Sequence, residues 1–244
     1  MNDDGFVPLW ENGPVFRQSE HFKLGTDSIL LADFVNIGQR KNGIDLGCGS
    51  GILPLLLLCR SEKLKMTGLE INPAAADCAK ANISENALSA RCEIFCGDIR
   101  GSKELFSSGQ FDLVVSNPPY FAEGSGYVSP DAERAAARGE AACSLDELCK
   151  AAAYLCRTGG VFCLVHRAER LCDLVSALRE HGLEPKRLRF VSHDKAKEPS
   201  LVLLEARRGG APGVKIMPPL FMRNSDGTES DEILAIYHRK QVTK

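Results

Sequence analysis

Short apolar runs of strand length recur along the interior of the chain. They read "NGIDLG" (42–47), "KMTGLE" (65–70), "RCEIFCGD" (91–98), "FDLVVSN" (111–117) and "GGVFCLVH" (159–166). Between them lie stretches whose apolar residues repeat with helical spacing, such as "PAAADCAKANISENA" and "SLDELCKAAAYLC". Strand, helix and strand at this interval predict an α/β fold with a parallel sheet covered by helices on both faces. After a further helix near 167–181, "LEPKRLRFVS" and "PSLVLLEARRGG" predict two more strands joined by a charged loop, an antiparallel hairpin at one sheet edge. That makes seven strands, mostly parallel. Upstream, Asn12-Gly13-Pro14 signals a turn, so residues 1–25 form an extension carrying a small hairpin, followed by a helix starting near "TDSILLADFV". Residues 209–244 form a C-terminal appendage. No repeat and no low-complexity linker divides the chain, which reads as one domain over 1–244.

Candidate chemistry gathers at the ends of the strands. "IDLGCGSGIL" (44–53) puts a glycine-rich turn between the first interior strand and the first long helix. Gly47 and Gly49 let the backbone pass close to a ligand, Gly51 admits tight helix-to-strand packing, and the helix N-terminus offers N–H groups to an anion. The spacing is G-x-G-x-G, unlike the G-x-G-x-x-G dinucleotide fingerprint. The next strand ends at Glu70, whose carboxylate can accept both hydroxyls of a ribose, and a third ends in Gly97-Asp98. The fourth ends in "NPPYF" (117–121), where two prolines can continue neither a ladder nor a helix. They make a stiff segment projecting from the sheet.

These four strand ends together resemble the class I, Rossmann-like methyltransferases that use S-adenosylmethionine. The resemblance implies that Asp45, Gly47, Gly49 and Gly51 surround the methionine part of the donor, Glu70 holds its ribose, and Asp98 with Ile99 addresses its adenine. Ligands of open α/β sheets lie outside the carboxyl ends of the strands, so Asn117 would face the donor methyl. A conjugated exocyclic amine is a poor nucleophile because its lone pair is delocalised. The Asn117 side-chain oxygen and the Pro118 carbonyl can accept its two N–H groups and favour a tetrahedral nitrogen. Tyr120 offers a face for a planar substrate, and Phe121 a wall to the same pocket.

"HFKLGTDSILLADF", "DLGCGSG", "NPPYF" and "AARGE" in combination resemble the bacterial valine-tRNA adenine-37 N6-methyltransferase family. That resemblance implies an unpaired tRNA adenosine as substrate, splayed onto Tyr120, with Gly25 and Thr26 in a donor-binding segment. Members read Ala-Arg-His-Glu where this chain has Ala137-Arg138-Gly139-Glu140. Three other readings share parts of the pattern. They are a glutamine N5-methyltransferase of release factors, a guanine N2-methyltransferase, and a non-catalytic RNA- or protein-binding module. The glutamine enzymes carry a helical domain ahead of the donor segment, for which the stretch before Gly25 is too short.

Composition changes this picture in two places. The net charge of −2 gives no global attraction to a polyanion, so RNA would need a local basic face. Arg134 and Arg138 are placed to meet phosphates near the target base. Lys195 and Lys197 in the charged loop, with Lys186, Arg187, Arg189, Arg207, Arg208 and the terminal Arg239, Lys240 and Lys244, supply the remaining candidates. The ten cysteines show no CxxC or Cys/His ligand spacing, which argues for reduced thiols in a cytoplasmic protein without a metal. No signal peptide and no run of membrane-spanning length is present. The pattern leaves the oligomeric state open. The segment 121–142, rich in small residues, is long for a strand-to-helix connection and is expected to close as a lid over the base.

Overall fold

A computed structural model describes residues 5–18, 25–118 and 143–238. The chain begins with the expected small hairpin, in which β1 (Val7–Pro8) pairs antiparallel with β2 (Val15–Phe16). Then come α1 (Thr26–Phe34), β3 (Asn42–Leu46), α2 (Ile52–Cys59), β4 (Lys65–Glu70), α3 (Pro73–Glu85) and β5 (Cys92–Cys96). The second half runs α4 (Ser102–Leu105), β6 (Phe111–Ser116), α5 (Leu145–Leu155), β7 (Cys156–Arg167), α6 (Leu171–Glu180), β8 (Leu183–Ser192) and β9 (Leu201–Arg208). Short strands β10 (Lys215–Ile216) and β11 (Leu220–Phe221) and the helix α7 (Asp231–Ile236) complete the described residues.

The seven long strands lie in the order β8-β9-β7-β6-β3-β4-β5, and β9 alone runs against the others. One detail differs from expectation: the β8–β9 hairpin does not form the free edge. β10 and β11 both pair parallel with β8, at Arg187–Leu188 and at Val191–Ser192, and satisfy backbone groups that would otherwise stand open.

Residue alternation explains why the sheet is buried on both sides. On β6, Leu113 and Val115 enter one core and Val114 the other; on β7, Val161, Cys163 and Val165 oppose Phe162 and Leu164. Successive side chains point to opposite faces, so an unbroken apolar run requires cover above and below. Helices α1, α2 and α3 supply one cover through Leu30, Leu31, Leu55, Leu57 and Ala79. Helices α5 and α6 supply the other through Leu148, Ala152, Leu155, Leu174 and Leu178. The start of α5 is fixed by a capping box, in which Ser144 Oγ accepts from Glu147 N and the Glu147 carboxylate accepts from Ser144 N.

The N-terminal hairpin is held to the body by an asparagine of α3 and by the one that caps its C-terminus. Four residues apart, Asn82 and Asn86 share one helix face. Asn86 Oδ1 accepts from Val15 N at 2.9 Å and its Nδ2 donates to Val15 O at 2.7 Å. Asn82 does the same with Arg17, at 2.8 and 2.9 Å. The two amides thus stand in for a neighbouring strand along β2. Asn82 Nδ2 also donates to Ser50 O at 2.8 Å, which ties the hairpin and the glycine turn to one buried side chain.

Candidate active site

Parallel strands of one sheet bring their carboxyl ends to one edge, and the residues there are Gly47, Glu70, Gly97 and Asn117. Their backbones are knitted together. Gly47 N and Cys48 N donate to Leu69 O at 2.8 and 3.1 Å, and Gly97 N donates to Glu70 O at 2.9 Å. Beyond the last paired residues of β3 and β6, Asp45 and Val115, the Ser116 hydroxyl donates to Leu46 O at 2.7 Å. This bond continues the pairing as the strands end and sets Asn117 beside Gly47.

The glycine turn has the form expected of a close-approach loop. Gly47, Gly49 and Gly51 have φ of 76°, 53° and 82°, a region that residues with a Cβ rarely adopt. At Gly51 a Cβ would stand 3.0 Å from Ala79 Cβ, so the packing of α2 on α3 also requires glycine. Among the described residues a Cβ at Gly47 would meet only Ile99 Cδ1, at 3.9 Å, which puts the predicted Ile99 against the turn. Cys48 between them is buried, and burial pushes its thiol well up, so it is no nucleophile.

Two carboxylates meet under this turn. Glu70 is buried, and its oxygens accept from Gly49 N at 2.8 Å and Asn72 N at 2.9 Å. Asn72 in turn caps α3, accepting from Ala74 N and Ala75 N ahead of Pro73. Asp45 is 1% exposed, and its Oδ1 has no hydrogen-bond partner among the described residues. Burial first, and the Glu70 charge second, push the Asp45 carboxyl well above the usual carboxylate range. Ser50 Oγ is likewise buried without a partner. Buried polar atoms are normally satisfied, so two orphans beside an open glycine turn fit a ligand with polar groups of its own.

Asp98 lies at the same edge and is partly exposed. It accepts from Arg100 N at 2.8 Å, and Arg100 Nε and Nη2 reach its other oxygen at 2.8 and 2.5 Å. The bond from the Arg100 side chain holds the Asp98 carboxyl below its ordinary value. Between Glu70 and Asp98, Ile71 stands 46% exposed, an apolar surface at the site that the sequence reading did not single out.

Asn117 is half-buried and Pro118 buried. Asn117 Nδ2 donates to Ser28 Oγ at 2.9 Å, and Ser28 lies two residues beyond Thr26 in the first turn of α1. That bond brings the Gly25-Thr26 segment to the end of β6. It leaves Asn117 Oδ1 without a partner among the described residues. Ser28 was not foreseen, because nothing in the sequence relates positions 89 residues apart. Pro119, Tyr120, Phe121, Arg134, Arg138 and the expected lid over 121–142 lie outside the described residues.

The proposed basic face needs correction. β9 runs antiparallel, so Arg207 and Arg208 at its end, and Lys186 and Arg187 early in β8, lie toward the opposite sheet edge. Several are also engaged internally. Arg187 Nη2 bonds Glu205 at 3.0 Å and Phe34 O at 2.6 Å, Arg189 forks the Glu232 carboxylate at 2.7 and 2.8 Å, and Lys186 donates to Ala211 O and Gly213 O. Lys195 and Lys197 remain exposed, on the β8–β9 turn at the same edge as Asn117. The terminal Arg239, Lys240 and Lys244 are outside the described residues. A cleft of about 570 Å³, lined by Asn42, Lys65, Arg91 and Phe111 among others, opens at the amino ends of the strands, the wrong edge for this chemistry. Among the described residues no cluster of metal-ligating side chains occurs, and no helix is long and apolar enough to cross a membrane.

Residues 9–180 match the family model of the methyltransferase small domain. A tRNA1(Val) (adenine(37)-N6)-methyltransferase of Porphyromonas gingivalis is 35% identical over 193 residues, covering 76% of this chain and 74% of the relative. The enzyme of the same name from Tolumonas auensis is 32% identical over 215 residues, covering 88% and 87%. Among solved structures, a predicted O-methyltransferase of Agrobacterium tumefaciens superposes with a TM-score of 0.70 at 19% identity, over 87% of this chain and 96% of that one. A geranyl diphosphate C-methyltransferase of Streptomyces coelicolor, solved with S-adenosyl-L-homocysteine, gives 0.52 at 14% identity, over 73% and 78%. These two likenesses speak for the fold alone.

Proposed function

The chain belongs to the methyltransferase small-domain family, alongside the tRNA1(Val) (adenine(37)-N6)-methyltransferases, and from that membership we propose how its residues carry out N6-methylation of adenine 37 in valine tRNA. When bound, S-adenosylmethionine supplies a methyl group on a positively charged sulfur. Asp45, Ser50 and the 47–51 turn are suited to its amino-acid end, Glu70 to its ribose, and Ile71, Asp98 and Ile99 to its adenine. The observation that carries the reading is Asn117. It stands beside Gly47 with its amide nitrogen committed to Ser28 and, among the described residues, its amide oxygen without a partner.

That arrangement suits an amine with two hydrogens and a delocalised lone pair. Asn117 Oδ1 accepts one N–H and the Pro118 carbonyl the other, which turns the lone pair out of the ring plane toward the methyl. Ser28 holds the amide in the orientation that presents oxygen to the substrate. A base of ordinary strength would not help, because the neutral amine cannot be deprotonated first. The proton leaves after methylation, when the nitrogen has become acidic. Tyr120, which follows the prolines, supplies the stacking face for the extruded base, worth about 1 to 3 kcal/mol.

The test is incubation of the protein with methyl-labelled donor and unmodified tRNA, followed by nucleoside analysis. Label is expected in N6-methyladenosine at position 37. Label confined to N2-methylguanosine, or to a protein fraction, would overturn the assignment.

Asp45 gives the reading a signature in pH. Its raised pKa means the folded, donor-free chain keeps this proton to higher pH than the unfolded chain does. The contribution to stability therefore falls as pH rises from the ordinary carboxylate range toward the folded value. An ammonium group placed against Asp45 favours the ionised form, so donor binding should release a proton and tighten with rising pH over that window. Calorimetry in two buffers of different ionisation heat should show the release, and Asp45→Asn should remove it while raising the melting temperature of the donor-free protein at neutral pH. Buffer-independent heats in the wild type would rule out this role.

A further inference from the structure

A cleft of about 210 Å³ opens between the β8–β9 turn and the hairpin that follows β11, lined by Lys195, Phe221, Arg223, Asn224, Ser230 and Glu232 among others. Topology puts it on the catalytic side of the sheet. β8 is antiparallel to β9, which is antiparallel to β7, which is parallel to β6, so β8 and β6 end at the same edge. β11 runs parallel to β8, and Met222 N and Arg223 N donate to Ser192 O and His193 O, extending that edge outward. Four strand spacings of about 4.8 Å place Phe221 roughly 19 Å from Asn117 across the sheet.

The lining has the chemistry of a nucleotide site. Phe221 is half-buried and belongs to neither apolar core, and it lines the cleft. Lys195 Nζ lies 6.0 Å from the ring centroid, and neither Lys195 nor Arg223 has a carboxylate partner among the described residues. The one acid of the lining, Glu232, is neutralised by the Arg189 fork. An aromatic face flanked by unneutralised cations is how single-stranded nucleic acid is held without sequence readout.

Resting on the tRNA reading above, we infer that this cleft binds a second nucleotide of the same RNA, a few residues from the methylated adenosine. A base stacks on Phe221, and the adjoining phosphates meet Lys195 and Arg223. The site gives the chain a local grip on RNA that its net charge of −2 does not provide.

Binding and methylation of an unmodified valine tRNA transcript test this, with Phe221→Ala, Phe221→Trp, Lys195→Ala, Arg223→Ala and, as a control at the opposite edge, Lys65→Ala. Phe221→Ala should weaken RNA binding by about 5- to 150-fold, the equivalent of one stacked base, and Phe221→Trp should restore it. Each lost cation should flatten the logarithmic salt dependence by about 0.7. The loss should appear in KM for tRNA, with donor affinity unmoved and Lys65→Ala without effect. If the wild type methylates tRNA and the cleft variants bind it equally well with an unchanged salt slope, the cleft inference fails alone. If the wild type neither binds nor methylates tRNA, the inference falls together with the reading beneath it.

Discussion

Asn117→Ala should lower the rate of methyl transfer by about 10² to 10³, the scale set by removing one preorganised hydrogen-bonding group from a reacting centre. Donor affinity should stay nearly constant, because Glu70, Asp45 and the glycine turn are untouched. The alanine also strips Ser28 Oγ of the amide it accepts from, at a cost of about 0.5 to 1.5 kcal/mol, too little to unfold the chain. Asn117→Asp sharpens the test. It retains the acceptor oxygen, and the Ser28 hydroxyl can still hold the side chain by turning to donate where it now accepts. The aspartate should therefore keep more of the rate than the alanine, and adding Ser28→Ala to Asn117→Asp should lower the rate further. Single-turnover rates with saturating donor and tRNA, beside calorimetric donor affinity, separate the cases. If Asn117→Ala loses donor binding in proportion to rate, the residue shapes the pocket and takes no part in orienting the amine.

The strand ends were legible in the sequence for a physical reason. A parallel strand buried on both faces is an uninterrupted apolar run, and the residue that ends it must satisfy chain reversal and ligand approach together, so Gly47, Glu70, Gly97 and Asn117 stand out. What was not legible depends on pairs far apart in the chain. The Asn82 and Asn86 amides that grip Val15 and Arg17 look like ordinary polar helix positions until the hairpin is laid beside them. Ser28 reads as a helix residue until β6 delivers Asn117 to it. The cations show the same limit. Arg187, Arg207 and Lys195 are alike in charge, but Arg187 falls early in β8 and Arg207 late in the reversed β9, both toward the amino edge, while the turn joining those strands leaves Lys195 on the catalytic one.

Glu70→Ala should reduce donor affinity by 100-fold or more, on the order of two lost charge-assisted hydrogen bonds at about 1.5 to 3 kcal/mol each. The Glu70 carboxylate oxygens accept backbone N–H groups from Gly49 and Asn72, and an ionised carboxylate is an acceptor alone, the type of group a ribose hydroxyl donates to. The same two bonds give the residue a structural duty, so the alanine also leaves two buried N–H groups without acceptors, at about 1 to 3 kcal/mol apiece, and the melting temperature should fall. Glu70→Gln separates the two duties. It keeps one acceptor oxygen but sets an NH₂ group against the other backbone N–H, so it should recover part of the stability and little of the affinity, since the charge is gone. Glutamine also removes one of the two causes of the raised Asp45 pKa, so proton release on donor binding should move to lower pH. Measured by calorimetry well below the melting transition, an unaltered donor affinity in Glu70→Ala would leave the carboxylate as a brace for the glycine turn and refute its place on the ribose.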